Sequence, residues 1–136
     1  MKSDKFTLIR ESFLVDTNER ERVVYTGKLL SLNANTYKYV FKVEDGISRM
    51  TISIDDEGCN IEQSFNDSIS KMEFRLNKKG KYQLKMQNGY TLNFLTEASL
   101  IKIDDFEIKL KYNLYDEKLN LISLVDINII GEDIIC

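Results

Sequence analysis

Tyrosine is the residue type whose placement in this sequence says most about possible chemistry. A buried phenol hydroxyl without a hydrogen-bond partner costs about 1–3 kcal/mol, so a dry, filled core would favour phenylalanine. The tyrosines therefore predict either a cavity in which hydroxyls and water meet an amphipathic ligand, or side chains that reach the two ends of the core and bond backbone or water there. Six of the seven tyrosines share alternating positions with Leu, Ile and Phe: Tyr25, Tyr37, Tyr39, Tyr82, Tyr90 and Tyr112.

Residues for the common catalytic and metal sites are missing. Histidine is absent, which removes the usual general base at neutral pH, the Ser-His and Cys-His nucleophile pairs, and most zinc and haem ligation. Gly-rich phosphate loops, nucleophile elbows and metal-ligand spacings are missing too. We therefore expect no enzyme activity, no metal and no cofactor. A hydrolase or phosphatase-like activity built on Tyr, Asp or Glu is the enzymatic alternative.

Three charged clusters could bind ions, but each is better interpreted as a turn. "DDEG" at Asp55–Gly58 lacks the twelve-residue spacing of an EF-hand calcium loop and falls where a turn between strands is needed. The same interpretation applies to Asp104-Asp105. "NKKGK" at Asn77–Lys81 could touch an anion or phosphate, although a basic hairpin tip is more often simply solvated.

Composition indicates a globular domain without a membrane or nucleic-acid partner. The chain has 136 residues, is 43% hydrophobic and 30% charged, and carries a net charge of −3 without a large basic field. The start "MKSDKFTLIRESF" has no apolar signal-peptide region, and no run approaches the roughly 18 apolar residues of a membrane span. We expect a cytoplasmic protein in which Cys59 is a buried thiol and Cys136 a terminal one, rather than a disulfide pair.

The elements that must position the tyrosines are β-strands. Nearly every segment alternates apolar and polar residues with period two, as in Thr36–Glu44, where Tyr37, Tyr39 and Phe41 alternate with Lys38 and Lys42. Strands with one dry and one wet face are typical of antiparallel sheets. The first strand is expected at Phe6–Val15, and the short stretch Asn66–Ser70 as a loop or one helical turn.

The turns can be tested for register, since a one-residue slip moves every side chain to the other face. An Asp45-Gly46 loop pairs Tyr39 with Ile52. A bulged loop at Gln87–Gly89 pairs Leu84 with Leu92 and keeps the apolar faces together, which a two-residue loop does not.

Two further connections are expected to be short. The "NKKGK" connection sets Phe74 opposite Leu84, and the "YDEK" connection sets Ile108 opposite Val125. Consecutive strands then pair in an up-and-down meander of about eight to ten strands. The sequence predicts one all-β domain over residues 1–136, with its core at about 5–131: a single closed antiparallel barrel rather than a sandwich.

Several stretches in a shared order resemble the YwiB-like family of small bacterial proteins of unknown function. The resemblance covers about Tyr25 to Ile130 and implies a calycin (lipocalin-like) β-barrel, without an activity. Where the family carries an Arg-x-Gly element, this chain has Gln63 and Phe65. The stretches are "YTGKL", "TYKYVFKVEDG", "KMEF", "GKYQLKMQNGYTLNF" and "IKLKYNLYDEKLNLISLVDINI".

Two functions are consistent with such a barrel. In the first, the interior binds a small hydrophobic or amphipathic molecule. In the second, the interior is filled and the protein acts as an accessory module through its outer surface, or associates with itself through the apolar end Asn128–Cys136, where Ile134 and Ile135 extend past the last strand. Under the first hypothesis the predicted ligand-binding residues are Tyr37, Tyr39, Phe41, Phe74, Tyr82, Tyr90, Phe94 and Tyr112.

Overall fold

The chain folds into ten antiparallel strands that close into a barrel. The computed structural model describes residues 2–65 and 67–133, and side-chain surroundings for 4–65 and 67–132. Each strand pairs with the next one along the chain, and β1 pairs with β10 to close the sheet. The strands are β1 Lys2–Leu14, β2 Glu19–Asn33, β3 Thr36–Val43, β4 Gly46–Asp55, β5 Gly58–Phe65, β6 Ser68–Arg75, β7 Lys79–Met86, β8 Thr91–Ile103, β9 Glu107–Tyr115 and β10 Leu121–Asp133. The predicted all-β up-and-down barrel is confirmed.

Side-chain alternation follows the predicted faces. In β3, Tyr37, Tyr39 and Phe41 are buried inside the barrel, whereas Lys38 and Lys42 are exposed on the outer face. Strand pairing in an antiparallel sheet places directly opposite residues on the same face, so the inner face continues around the barrel. Among the described residues there is no helix long and apolar enough to cross a membrane.

The barrel has two ends, which differ in how they are covered. The upper end carries the turns that follow Leu14, Val43, Phe65, Met86 and Tyr115, and the lower end carries the remaining turns. At the lower end, the turn between β8 and β9 folds against the barrel: the Tyr37 hydroxyl donates to Asp105 Oδ1 at 3.0 Å, and the backbone N–H of Gly131 donates to the Phe106 carbonyl at 2.8 Å. These contacts hold the turn against the lower end.

The bulged hairpin between β7 and β8 is confirmed. Leu84 lies opposite Leu92, and the backbone N–H of Met86 donates to the carbonyl of Tyr90 at 2.8 Å. Gly89 has a φ of 91°, a conformation that glycine adopts without a Cβ clash.

The predicted register between β3 and β4 is wrong by two residues. Tyr39 pairs with Met50 and not with Ile52, because the two-residue loop is Glu44-Asp45 and Gly46 is already in β4. A shift by two keeps every side chain on its face, so the hydrophobic pattern could not detect it.

Two other predicted registers are wrong by four residues. Leu84 lies opposite Ser70, and Val125 lies opposite Tyr112. After β6 ends at Arg75, the chain turns away from β7 and contacts β8. There the backbone N–H of Asn77 donates to the Ala98 carbonyl at 2.8 Å.

Between β9 and β10, the side chain of Asp116 builds a longer loop than predicted. Its Oδ1 accepts hydrogen bonds from the backbone N–H groups of Lys118 and Asn120, both at 2.9 Å. The stretch Asn66–Ser70 is also corrected, since Ser68 already pairs with Phe65 and begins β6. Asn66 lies outside the described residues, as do Ile134, Ile135 and Cys136.

Candidate functional site

The eight predicted site residues do not share one cavity. Tyr37, Tyr39, Phe41, Phe74 and Tyr112 are buried, Tyr82 and Phe94 are half-buried, and Tyr90 is 70% exposed at the tip of the β7–β8 hairpin. Of these residues, only Tyr82 and Tyr112 line the cavity inside the barrel. The other six lie in the packed core, beside the outer face or at the hairpin tip.

A cluster of aromatic rings, packed among aliphatic side chains, fills part of the barrel interior. Tyr39 lies between Phe6 and Phe41, with ring centroids 5.4 and 5.6 Å away, and stacks on Tyr37 at 6.4 Å. The Tyr39 hydroxyl is buried and has no hydrogen-bond partner within the described residues. Phe74 packs against the ring of Tyr112 at 4.7 Å. Tyr37, Tyr39, Phe41 and Phe74 are therefore core residues.

Phe94 and Tyr90 lie outside the interior cavity for different reasons. The ring of Phe94 packs edge-on against Tyr82, with centroids 5.3 Å apart, and Phe94 borders a groove on the outer face. Tyr90 has the inward parity, but it comes after the last interstrand pair of its hairpin, where the sheet no longer encloses the side chain.

A cavity of about 220 Å³ remains between the filled core and the upper end. It reaches the upper end because Phe65 and Ser68, which flank the β5–β6 turn, belong to its lining. The apolar lining residues are Leu8, Met50, Phe65, Met72, Leu84 and Ile127, and the polar ones are Arg10, Tyr25, Gln63, Ser68, Ser70, Tyr82 and Tyr112.

Arg10 is the charged group of this cavity lining. It lies in β1, and its two cross-strand neighbours are the aliphatic Val23 and Ile127. Within the part of the chain that the structure describes, Arg10 forms no ion pair and no side-chain hydrogen bond. An unpaired guanidinium next to aliphatic neighbours keeps all its donors available to a ligand or to water.

The electrostatics of Tyr82 and Tyr112 connect them to Arg10. Burial raises the pKa of both phenols above its ordinary value, and the positive charge of Arg10 acts in the opposite direction on both. The two hydroxyls are therefore neutral at physiological pH and act as hydrogen-bond donors toward a negative group. Neither hydroxyl bonds another described residue.

The side chains of Gln63 and Ser70 differ from these groups, because each makes a hydrogen bond within the fold. Gln63 Nε2 donates to Ser48 Oγ at 3.0 Å, and Ser70 Oγ donates to the Gln63 carbonyl at 3.4 Å. These bonds fix one wall of the cavity. Among the polar lining residues without a side-chain hydrogen bond to a described residue, Arg10 carries the charge, and the others are Tyr25, Ser68, Tyr82 and Tyr112.

The upper rim next to the cavity is apolar and exposed. Met86 pairs with the cavity residue Ser68, and Leu92 pairs with the cavity residue Leu84. The exposed fractions are 42% for Met86, 44% for Leu92 and 70% for Tyr90. Apolar side chains of inward parity are therefore also present beyond the closed part of the sheet, where they are exposed to solvent. We call Met86, Tyr90 and Leu92 the apolar rim.

A second concave region, the outer groove, has a volume of about 820 Å³ and runs over β4 to β8. Most of its lining residues face outward, and Met72 and Tyr82 border both this groove and the cavity. Its charges alternate in sign, with Glu62 and Glu73 beside Lys71 and Lys81. The backbone N–H of Lys81 donates to Glu73 Oε1 at 3.0 Å. The groove therefore carries charges of both signs beside apolar residues such as Leu95.

The acidic clusters form turns, as predicted. Asp55 Oδ1 accepts hydrogen bonds from the backbone N–H groups of Glu57 and Gly58, both at 2.9 Å, and Asp55 Oδ2 lies 3.3 Å from Arg75. These interactions, the bond from Glu57 first, hold the pKa of Asp55 below its usual value. No group of three or more metal-ligating side chains occurs in residues 2–65 and 67–133.

Asp104 and the basic turn are also engaged within the fold. Asp104 Oδ1 accepts from the backbone N–H groups of Phe106 and Glu107 at 2.9 and 2.7 Å. In the basic turn, the Lys79 ammonium contacts Glu97 and lies 4.3 Å from the Tyr115 ring centroid. Cys59 is buried in β5, as predicted, and burial raises its thiol pKa to about 12.

Sequence reasoning missed Arg10, the most distinctive residue of the cavity. A signal was present: Arg10 has the same parity as Phe6 and Leu8, so a charge stands at an inward position of β1. Tyr25 had been placed on the inner face and does line the cavity, and so do Gln63 and Phe65.

Comparisons with known proteins support the fold. A scan against protein-family models finds no match, and a search of the curated proteins finds none. Among solved structures, the chain is similar to the crystal structure of the ywiB protein from Bacillus subtilis, with a TM-score of 0.62 and 16% sequence identity. The match covers 95% of this chain and 92% of that chain. This similarity shows that the chain has a YwiB-like fold.

Proposed function

We propose that the protein is a small-molecule binding protein whose barrel, of the calycin or lipocalin-like type, takes an amphipathic molecule into the cavity at its upper end. The proposal is based on one observation. The cavity combines an apolar lining with three polar groups, on Arg10, Tyr82 and Tyr112, that have no partner among the described residues. These groups are open to water in the cavity, and a bound molecule would replace that water as their hydrogen-bond partner.

The connectivity of the barrel supports this proposal. Up-and-down barrels of lipocalin type close their sheet without edges and hold one small ligand at the barrel mouth. In this chain the rings near Tyr39 fill the lower interior, so binding is confined to the upper part. The uncharged part of an amphipathic molecule would leave water by packing against the apolar rim.

The chemistry of the lining supports binding rather than catalysis. Of the described residues that line the cavity, none is His, Cys, Asp or Glu. The Ser68 and Ser70 hydroxyls are there, but no general base accompanies them, and a serine hydroxyl needs one to act as a nucleophile.

Native mass spectrometry of protein purified gently from cells tests the proposal. We expect an extra mass that is lost on denaturation. Ser70→Leu fills the cavity and should reduce the fraction carrying this mass by about tenfold, whereas Thr51→Leu places a leucine side chain in the outer groove and should leave it unchanged. Circular dichroism checks that both variants fold, because overpacking costs about 1–3 kcal/mol.

An extra mass that Thr51→Leu removes and Ser70→Leu retains would contradict binding in the cavity. It would favour the second candidate function, an accessory module that acts through the outer surface. The observation behind this candidate is the outer groove, whose volume exceeds that of the cavity. Its alternating charges suit a polar partner that carries both signs.

A further inference from the structure

Arg10 stands out because its environment within the barrel offers no counter-charge. The residues opposite it, Val23 and Ile127, are aliphatic, and its neighbour Glu11 points outward, where it pairs with Arg22 at 3.6 Å. Glu21, which shares the inward parity of β2, forms no ion pair with Arg10. A guanidinium in a partly buried apolar setting is costly unless something pairs with it.

Tyr82 and Tyr112 add hydrogen-bond donors beside Arg10. The Tyr82 and Tyr112 hydroxyls are kept neutral, and the charge of Arg10 reaches both of them. Of the described side chains around the cavity, none carries a negative charge. Donors face this space from β1, β7 and β9, and the described lining holds no negatively charged acceptor for the Arg10 guanidinium.

We infer that the cavity selects an organic anion, a monocarboxylate with an apolar body, whose carboxylate binds Arg10 between the Tyr82 and Tyr112 hydroxyls. This inference rests on the proposed function and adds the chemical class of its ligand. The planar guanidinium fork matches the two oxygens of a carboxylate, and charge-assisted hydrogen bonds of this kind are the strong ones.

The volume of the cavity limits the length of the apolar chain that the ligand can place inside the barrel. A volume of about 220 Å³ lies below the roughly 300–1,000 Å³ of common ligand pockets. A carboxylate and the first part of an aliphatic chain fit inside, and the remainder lies along the apolar rim of Met86, Tyr90 and Leu92. The ligand is therefore a short-to-medium chain acid.

Calorimetric titration with two probes of equal chain length tests the inference. Decanoate carries the carboxylate, and decan-1-ol replaces it with a neutral hydroxyl. We expect wild type to bind decanoate more tightly than decan-1-ol. Arg10→Met should weaken decanoate binding by about tenfold to a hundredfold and leave decan-1-ol binding within about twofold. The control Arg49→Met removes an exposed guanidinium and should change neither.

The outcomes separate the inference from the proposed function. If wild type binds neither probe, binding in the cavity fails together with the inference. If it binds both equally and Arg10→Met changes neither affinity, binding stands and the anion preference is overturned. If Arg10→Met does not fold, Arg10→Lys replaces it: this variant keeps the charge but loses the fork, and an unchanged decanoate affinity would contradict bidentate binding.

Discussion

At the residue scale, the contrast between Tyr37 and Tyr39 shows what a buried hydroxyl contributes. Both rings are stacked in the same filled half of the barrel, but only the Tyr37 hydroxyl has a partner, Asp105 at 3.0 Å. The Tyr39 hydroxyl is buried without one among the described residues. Removing the hydroxyl should therefore change the stability of the fold in opposite directions at these two tyrosines.

We expect Tyr39→Phe to leave the free energy of unfolding unchanged or to raise it by up to about 1–3 kcal/mol, because the variant removes an unsatisfied buried hydroxyl. Tyr37→Phe removes a satisfied bond and should lower stability by about 0.5–1.5 kcal/mol. Urea unfolding measures both values. A larger loss in Tyr39→Phe than in Tyr37→Phe would show that the Tyr39 hydroxyl has a partner after all.

Arg10 illustrates how a residue can be overlooked when a sequence is searched for familiar motifs. The tyrosine pattern predicted polar groups inside the barrel, and Tyr82 and Tyr112 do face the cavity. The motif search did not consider Arg10, which shares the inward parity of Phe6 and Leu8. Its meaning depends on Val23 and Ile127 opposite it, which only the register reveals.

At the element scale, the faces of the strands could be predicted from the sequence, but their offsets could not. Alternation with period two places Tyr39 and Met50 on the inner face for any even shift. The true offset depends on the turn, as at Asp116, whose side chain builds a longer loop than the pattern implies. The β7–β8 hairpin was predicted correctly because an odd loop length was the choice that kept its faces together.

Two glycines should respond very differently to alanine. A Cβ on Gly27 would lie 2.0 Å from the Val40 carbonyl oxygen and 2.7 Å from Phe41 Cα, so Gly27→Ala must push β2 away from β3. Gly89 has open space around it, and Gly89→Ala meets only the strain of its positive φ.

We expect Gly89→Ala to cost about 1 kcal/mol and Gly27→Ala to cost more than about 4 kcal/mol or to prevent folding. Thermal unfolding followed by circular dichroism compares the two variants. Similar losses for both would contradict the close packing of β2 against β3.

At the scale of the whole molecule, buried phenols and a buried thiol make the barrel sensitive to alkali. Burial, the hydrogen bond to Asp105 and the nearby carboxylates raise the pKa of Tyr37 from 10.0 to about 12. Burial raises the pKa of Cys59 from 9.0 to about 12 and raises those of Tyr39 and Tyr112 as well. In each case the folded state holds its proton more tightly than the unfolded chain.

The sign of the pH dependence follows from this difference. Well below pH 9 both states are protonated at these groups, and their contribution to stability is fully present. As the pH rises from 9 toward 12, the unfolded chain loses protons first, and the free energy of unfolding falls. Urea unfolding at pH 8, 10 and 11 should show this fall, with a shallower slope in Tyr37→Phe. A flat profile would contradict the burial of these groups.

The cavity is a property of the whole barrel and could not be predicted from local pattern. Its volume is what remains after side chains from β1, β2, β4, β5, β6, β7, β9 and β10 have packed together. The same inward parity leads Tyr39 into a filled core and Tyr82 to a cavity wall. Whether an inward side chain lies in the core or lines the cavity depends on how all ten strands pack in the closed barrel.

The most direct test of the account is the nuclear Overhauser spectrum of the protein with decanoate. We predict intermolecular signals between the decanoate methylene protons and the ring protons of Tyr82 and Tyr112, which line the cavity. The ring of Tyr115, which lies under the Lys79 ammonium, is the internal control and should give none. Signals to Tyr115 alone, or to no tyrosine while decanoate is bound, would contradict a ligand inside the barrel.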